Sequence, residues 1–280
     1  MRHKEGHKAQ TFERRLIVQL IGAFGASLWL LSSFAFGQES RNLTPAQIEL
    51  QKHQQRLGSS DIEERRDALM RLGAMRSVAA SRVAVPGLKD ESPMVRATAA
   101  KSILSLGAEE SVSYLLPLLN DKDEFVRRET AYALGLNHSR AATAVLSELL
   151  LNDKEDSVRG AAAVALGQIA DEAAVIALVG TLAPELSAPA KKKRKPEANV
   201  FVLRAAAAAL GQIGSRAGTP ALISALNNEK LPSDVRRESA RALGLIGDPA
   251  AAAALRTAST AADPFLAEIA ADALKKFSRG

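Results

Sequence analysis

The sequence contains few side chains that could catalyse a reaction or bind a metal, and their spacing suits neither role. The four histidines are His3, His7, His53 and His138, and none has a carboxylate at metal-ligand spacing. The chain has no cysteine, which excludes a lipoprotein anchor and a disulfide scaffold. The sequence contains no phosphate-binding loop and no nucleophile motif, and its serines lack a nearby histidine. The sequence therefore predicts no catalytic residue, no metal ligand and no cofactor.

The polar residues that do recur are an aspartate and an arginine six positions later. These pairs are Asp90 with Arg96, Asp121 with Arg127, and Asp153 with Arg159. An alanine-rich stretch follows each arginine position, and most copies close with Leu-Gly. The arginine position and its equivalents fall at 65, 96, 127, 159, 203, 236 and 267, in steps of 31, 31, 32, 44, 33 and 31 residues. A period near 32 predicts a solenoid, because each unit can bury its apolar face only against its neighbours.

Two helical patterns fill each period and position these residues. In the second pattern, apolar or small residues recur at positions i, i+4, i+7 and i+8, as in Val126–Leu134. The first pattern is shorter and leucine-rich, as in Val112–Leu119. Pro86 and Pro117 are expected to kink the first helix of their repeats. The glycines that close the repeats are expected at left-handed helix C-caps; they are Gly135, Gly167, Gly211 and Gly244.

This pattern resembles the HEAT-repeat family, specifically the short HEAT-like repeats of the phycobilin lyases. The aspartate–arginine pairs carry the resemblance, which covers about residues 45–277. It implies an all-α fold: a right-handed superhelical α-solenoid of about seven HEAT-like helix pairs. It also implies that the pairs form a ladder of hydrogen bonds between successive turns. Repeats five and six depart from the ladder, because Glu197 stands before Leu203 and Lys230 before Arg236.

The resemblance also raises an alternative function, because HEAT-like repeats occur in enzymes. The deoxyhypusine hydroxylases bind iron through recurring His-Glu pairs, whereas here Gln54 follows His53 and Ser139 follows His138. No chromophore site of the phycobilin-lyase kind is identifiable either. The expectation is a protein that is not an enzyme, and the alternative is a lyase-like or hydroxylase-like enzyme or enzyme subunit.

Residues 1–37 are expected to be a secretory signal peptide. A basic segment precedes the 21 uncharged residues of Leu16–Phe36, and Ala35 and Gly37 suit positions −3 and −1 of a cleavage site. Such a signal predicts export, to the periplasm if the source is bacterial. The alternative is an uncleaved membrane anchor formed by residues 16–36.

A short linker, residues 38–44, leads to the solenoid, residues 45–280. Thr44–Gln47 reads as a capping box with proline at the first helical position. Ser60 with Glu63 is expected to open the second helix of the first repeat.

A basic insertion at residues 183–199 splits repeat five and is predicted to be a solvated loop. Its basic run is a candidate contact for an anionic surface; the run is Lys191, Lys192, Lys193, Arg194 and Lys195. The net charge is +6 for the whole chain, +3 for residues 38–280, and −2 when this run is also removed. A nearly neutral body does not provide a stripe that tracks phosphates, so a nucleic-acid partner is not expected. Membrane contact is expected only through the N-terminal segment or weakly through this loop.

The resemblance places the second helices along the concave wall of the solenoid, where a partner would bind. On each second helix, the residue after the arginine position and the one four later share a face away from the core. The candidate wall residues are Arg66, Lys101, Arg128, Tyr132, Val164, Arg204, Arg237 and Arg241. Gly160 and Val164 would form a small apolar floor. Arg128, Tyr132 and Arg237 would flank it, which suits an extended acidic and apolar segment. The predicted function is an exported, monomeric scaffold for a protein or peptide partner.

Overall fold

A computed structural model of the protein describes residues 43–186 and 199–277. The chain divides into two compact units, residues 1–52 and 53–280. The described residues contain α-helices, short 3-10 turns and no strand. The α-helices are α1 (Pro45–Arg56), α2 (Ile62–Ala74), α3 (Val78–Ala84), α4 (Pro93–Ser102), α5 (Ala108–Leu115), α6 (Glu124–Asn137), α7 (Thr143–Asn152), α8 (Asp156–Ile169), α9 (Val175–Leu182), α10 (Val200–Ile213), α11 (Thr219–Asn227), α12 (Ser233–Ile246), α13 (Ala252–Ala258) and α14 (Pro264–Phe277).

In the first unit, the structure describes the start of helix α1. The backbone N–H of Thr44 donates to Gln47 Oε1 at 2.8 Å, and the backbone N–H of Gln47 donates to Thr44 Oγ1 at 3.3 Å. Pro45 is the first helical residue. The predicted capping box is therefore confirmed.

The described helices follow the predicted order of first and second helices, with odd numbers for the first helices and even numbers for the second helices. In the second unit, the second helices pack against one another more extensively than the first helices do. Close packing of one helix layer is expected for the inner side of a solenoid. The core lies between the two layers, where Leu69, Leu134, Leu166 and Leu210 are almost completely buried.

Proline changes the type of helix in repeats two and three. Helix α3 ends two residues before Pro86, and α5 ends two residues before Pro117. Each continues as a 3-10 turn, Val85–Lys89 and Leu116–Asn120. Because proline has no N–H to donate, the α-helical hydrogen bonding gives way at these points. The predicted kinks are therefore changes to 3-10 geometry.

The closing glycines do not lie at helix ends, so the predicted C-caps are wrong. The left-handed residues at the helix ends come three positions later and are His138, Ala170, Gly214 and Gly247. A Cβ atom on Gly167 would lie 2.9 Å from the Cα atom of Ala209. A Cβ atom on Gly211 would lie 2.8 Å from the Cα atom of Ala242. The closing glycines thus allow consecutive second helices to approach closely.

The start of α2 also differs from the prediction. Asp61 rather than Ser60 is the N-cap, because its Oδ1 accepts the backbone N–H of Glu63 at 2.9 Å. The Ser60 carbonyl instead accepts a hydrogen bond from Arg65 at 3.3 Å. A carboxylate at this position also interacts favourably with the helix dipole.

The insertion at residues 183–199 is attached to the solenoid at both described ends. Glu185, in the 3-10 turn Pro184–Leu186, accepts a hydrogen bond from Ser224 Oγ of α11 at 2.7 Å. Asn199 caps α10 by accepting the backbone N–H of Phe201 at 2.8 Å. The start of the insertion is therefore anchored to repeat six. The basic run Lys191–Lys195 lies outside the described residues, and its anionic contact stays a prediction.

The predicted signal peptide and its cleavage site also lie outside the described residues. Within residues 43–186 and 199–277, no helix combines the length and the apolar character needed to cross a bilayer.

Candidate partner-binding face

The inner face consists of the second-helix residues that are not buried against neighbouring helices. On α6 these residues are Phe125, Arg128, Glu129, Tyr132 and Leu136, and the equivalent positions on the other second helices continue the face. All eight candidate wall residues belong to these positions and keep part of their surface exposed: Arg66, Lys101, Arg128, Tyr132, Val164, Arg204, Arg237 and Arg241.

Behind this face, a ladder of buried arginines joins successive repeats. Arg96 donates to both carboxylate oxygens of Asp121, in the next repeat, at 2.8 and 2.9 Å. It also donates to the backbone carbonyl of Asp90, in its own repeat, at 2.8 Å. Each aspartate therefore presents its carbonyl to the arginine of its own repeat and its carboxylate to the arginine of the preceding one. Equivalent bidentate pairs are Arg65 with Asp90 at 2.8 and 2.9 Å, and Arg127 with Asp153 at 2.7 and 3.0 Å.

Two rungs of this ladder were not predicted from the sequence, and Arg159, which was predicted to belong to it, forms no rung. Arg65 forms the first rung, and Arg237 forms a further one with Asp263, at 2.9 Å for both oxygens. Arg159 instead bonds within its own repeat, to the Asp153 carbonyl at 2.8 Å and to the Asp156 carboxylate. Among the described residues it has no aspartate in the next repeat to bind. An arginine followed by an aspartate 25 or 26 residues later is the sequence signal shared by all four rungs.

The position of Arg237 corrects its predicted role as a free wall residue. Its side chain is 29% exposed, bonds Asp263, and lies 5.1 Å from the ring centroid of Phe265. The arginine position itself, Arg236, donates to the Leu226 carbonyl at 2.9 Å. In repeat six, therefore, Arg237, the residue after the arginine position, forms the rung.

Hydrogen bonding shifts the titration of three ladder carboxylates, those of Asp90, Asp121 and Asp263. Burial alone would raise the pKa of Asp90 and Asp121, but the bonds from Arg65 and Arg96 and from backbone N–H groups outweigh it. The pKa of both groups is therefore lowered. The bond from Arg237 likewise lowers the pKa of Asp263. A carboxylate with a lowered folded-state pKa contributes stability above its unfolded pKa, and this stability is lost as the pH falls through the folded value.

We expect acid to destabilise the protein through these carboxylates. The unfolded-state pKa of aspartate is about 3.9, so the melting temperature should fall steeply below about pH 4. Circular-dichroism melts between pH 7 and pH 3 measure this dependence. Asp90→Asn should melt earlier at pH 7 and lose less on acidification than the unchanged protein. A melting temperature that stays level down to pH 3 would contradict the ladder's contribution.

The predicted apolar floor at Gly160 is occupied by a neighbouring side chain. The ring of Phe201, on the second helix of the next repeat, lies directly on Gly160 and leaves no room for a Cβ atom there. A glycine leaves a hollow between close helices, and an aromatic ring at the start of α10 fills it. Val164 remains partly exposed beside it. The floor of the inner face is therefore formed by Phe201 and Val164, and Phe201 was not among the predicted residues.

Most cations of the inner face are paired with a carboxylate. The pairs are Arg66 with Glu63 at 2.8 Å, Lys101 with Glu129 at 2.6 Å, Arg128 with Glu129 at 3.2 Å, and Arg241 with Glu238 at 2.7 Å. Arg128 also lies 4.9 Å from the ring centroid of Phe125. Burial alone would raise the pKa of Glu129, but the bond from Lys101 outweighs it and the net pKa is lowered. The inner face therefore carries paired charges of both signs.

A groove of about 390 Å³ opens on the inner face between α2, α4 and α6. Met70, Ala97 and Phe125 provide its apolar surface, and the ion pair of Lys101 with Glu129 stands beside them. Met70 is 53% exposed. Methionine adapts its shape to a bound group, so this groove can accept an apolar side chain from another molecule.

His138, in the third repeat, has a structural role at the end of a helix. His138 is the left-handed C-cap of α6, and its Nδ1 lies 2.8 Å from the Gln168 carbonyl oxygen in the next repeat. In the part of the chain that the structure describes, no three His, Asp or Glu side chains are grouped so that they could hold a metal ion.

Comparisons with known proteins agree with this fold. The sequence matches HEAT repeats over residues 50–135, 116–188 and 194–275. No curated protein sequence matches the chain significantly. The crystal structure of Escherichia coli YibA is similar with a TM-score of 0.56 and 22% identity, over 84% of this chain and 82% of that one.

Two further solved structures are similar at lower TM-scores. The complex of CpcE and CpcF of phycocyanin lyase from Nostoc has a TM-score of 0.48 and 25% identity, over 85% of this chain and 92% of that one. Human deoxyhypusine hydroxylase in complex with glycerol has a TM-score of 0.41 and 20% identity, over 83% and 96%. Because the matched repeats cover most of the sequence and the described helices alternate as first and second helices of successive repeats, this chain belongs to the HEAT-repeat family.

Proposed function

We propose that this protein is an exported, monomeric scaffold that binds a segment of a partner protein on its inner face. The observation that carries the proposal is the groove between α2, α4 and α6. Its apolar surface is framed by charged side chains, and Met70 within it is more than half exposed. Exposed apolar surface with a polar rim is typical of protein-interaction sites.

Further exposed apolar side chains extend this surface along the inner face. Leu136 is 53% exposed, Leu245 is 54% exposed and Phe265 is 63% exposed. They lie on α6, α12 and α14, so apolar contact points occur well beyond the groove. A partner that follows the inner face would therefore be an extended segment. Arginine and aromatic side chains, which often dominate binding energy at interfaces, stand between these points.

The same proposal includes two further points: the protein is exported, and it acts by binding rather than by catalysis. Export rests on the three-part signal pattern of residues 1–37. A non-catalytic role rests on the absence of His-Glu pairs from the sequence and on the capping position of His138. A hydroxylase-like activity would need His-Glu pairs, and the sequence contains none.

Site-specific photo-crosslinking in the native host tests the proposal. A photoreactive phenylalanine analogue replaces Met70 or Tyr132 on the inner face, and Ile176 serves as the matched control. Ile176 lies on the first helix α9 and is 84% exposed. We expect one crosslinked partner of the same mass from both inner-face positions and none from Ile176.

An immunoblot of the crosslinked cells also gives the mass of the mature chain, which tests export. A chain shortened by the predicted signal is expected in the cell envelope. Equal crosslinking from Ile176, or none from the inner face, would contradict the proposed function. A crosslinked product of twice the chain's mass would indicate self-association instead of a monomer.

A further inference from the structure

Arg204, on α10, differs from the other cations of the inner face. Arg128 has Phe125 three residues earlier and rests over its ring while bonding Glu129. Arg204 also has a phenylalanine three residues earlier, but the ring of Phe201 is turned onto Gly160. Arg204 is exposed, and no carboxylate among residues 43–186 and 199–277 forms an ion pair with it. Its guanidinium group is thus available to a ligand.

A row of four residues crosses the inner face near the C-terminal ends of its helices, about two turns along α10 from Arg204. Leu136, Gln168, Gln212 and Leu245 stand nine positions after the arginine position on α6, α8, α10 and α12; we call them the Leu-Gln row. Gln168 and Gln212 direct their side-chain oxygens towards the closing glycines of the preceding repeats. The Gln168 Oε1 atom is buried there and has no hydrogen-bond partner in the described structure. The row therefore has an exposed apolar residue at each end and two amides between them.

We propose that the Leu-Gln row and Arg204 bind an extended, acidic segment of a partner protein, with an apolar residue at each end and a carboxylate between them. This inference rests on the proposed function and assigns it a place and a partner chemistry. Neighbouring packed helices lie roughly 8–10 Å apart, which separates the two leucines by roughly 24–30 Å. An extended chain advances about 3.3 Å per residue, so about eight or nine residues span that distance.

Each chemical group of the row matches a group of such a segment. The side-chain N–H groups of Gln168 and Gln212 can donate to the carbonyl oxygens of a peptide main chain, while their oxygens face the preceding repeats. The guanidinium group of Arg204 presents paired donors that suit a carboxylate. Leu136 and Leu245 offer exposed apolar contact at the two ends. These groups together favour an extended peptide over a folded surface.

The charge of the surroundings favours a carboxylate over a polyphosphate. The other inner-face cations named above are already paired, and residues 38–280 without Lys191–Lys195 carry a net charge of −2. A polyanion requires several unpaired cations along its path. One unpaired arginine instead suits one carboxylate, so a protein segment is favoured over a nucleic acid.

Selection from a random dodecapeptide display library on the full-length protein tests this inference. We expect enriched peptides to carry Asp or Glu between two apolar residues. One enriched peptide, labelled with fluorescein, is then titrated by anisotropy. Arg204→Gln should weaken its binding by about tenfold or more, as expected for loss of a charge-assisted hydrogen bond. Arg256→Gln is the matched control, because Arg256 is exposed but lies on the first helix α13. This variant should bind the labelled peptide with unchanged affinity.

The outcomes separate this inference from the proposed function. Binding that is lost in Met70→Ser but unchanged in Arg204→Gln overturns the row and leaves inner-face binding standing. Binding that no inner-face substitution changes overturns both. A selection without acidic enrichment or without binders overturns the row, and so does Arg204-dependent binding of a single-stranded oligonucleotide. Thermal melts of each variant confirm that the fold is retained, which is expected for an exposed arginine.

Discussion

Gly211→Ala is expected to destabilise the protein, although alanine is the better helix former. In an open helix interior this change gains about 0.5–1 kcal/mol. Here the added Cβ atom would lie 2.8 Å from both the Cα and the Cβ atoms of Ala242. Because backbone atoms cannot rotate away, α10 and α12 would have to separate. We expect a loss of about 1–3 kcal/mol in the free energy of unfolding, and a larger loss for Gly211→Val.

Urea unfolding followed by circular dichroism measures this effect. Gly107→Ala is the control, because nothing lies within 4 Å of a Cβ atom built on Gly107. Gly107 is the N-cap of α5, and its replacement should cost about 1 kcal/mol or less. If Gly211→Ala is neutral or stabilising, close approach of the second helices is not the reason for the closing glycines.

Arg127→Ala is expected to cost about 3–5 kcal/mol, because it leaves a buried carboxylate without its partner. The Asp153 side chain is 6% exposed and receives two hydrogen bonds from Arg127. Arg159→Ala is the matched comparison, since Arg159 occupies the same position one repeat later but bonds only its own repeat among the described residues. Its loss should be smaller. Arg128→Ala, on the inner face, should change stability by about 0.5 kcal/mol or less.

A double-mutant cycle with Asp153→Asn isolates the energy of this rung. We expect the two single changes to be far from additive, because each removes the same bidentate pair. Equal losses in Arg127→Ala and Arg159→Ala would show that the bond to the next repeat contributes little. Additive losses in the cycle would lead to the same conclusion.

The helix pairs could be predicted from the sequence because the same apolar period recurs in each unit. What could not be predicted is which groups meet between units. Asp121 and Arg127 are six residues apart, yet their side chains bond different repeats, because only the Asp121 carbonyl reaches Arg127. Spacing along one repeat does not distinguish a bond within a repeat from a bond between repeats.

The inner face was harder to predict because its side chains fill one another's space. Gly160 appeared to be open floor, but Phe201, 41 residues later across the insertion, covers it. Arg237 was predicted to be an unpaired wall residue, but its Nε and Nη2 atoms both donate hydrogen bonds to Asp263. Helical periodicity gives the direction of a residue on its own helix, and packing between helices decides what covers it.

The ladder also has a consequence for how this molecule can evolve. The 44-residue step falls at repeat five, where the described residues contain no arginine–aspartate rung. The second helices α8 and α10 still meet there, through Gly167 with Ala209 and through Gly160 with Phe201. Neither contact demands a particular charged partner in the turn. The turn of that repeat can therefore lengthen and change composition without breaking a rung, whereas a turn that holds a rung keeps it only if it keeps its aspartate.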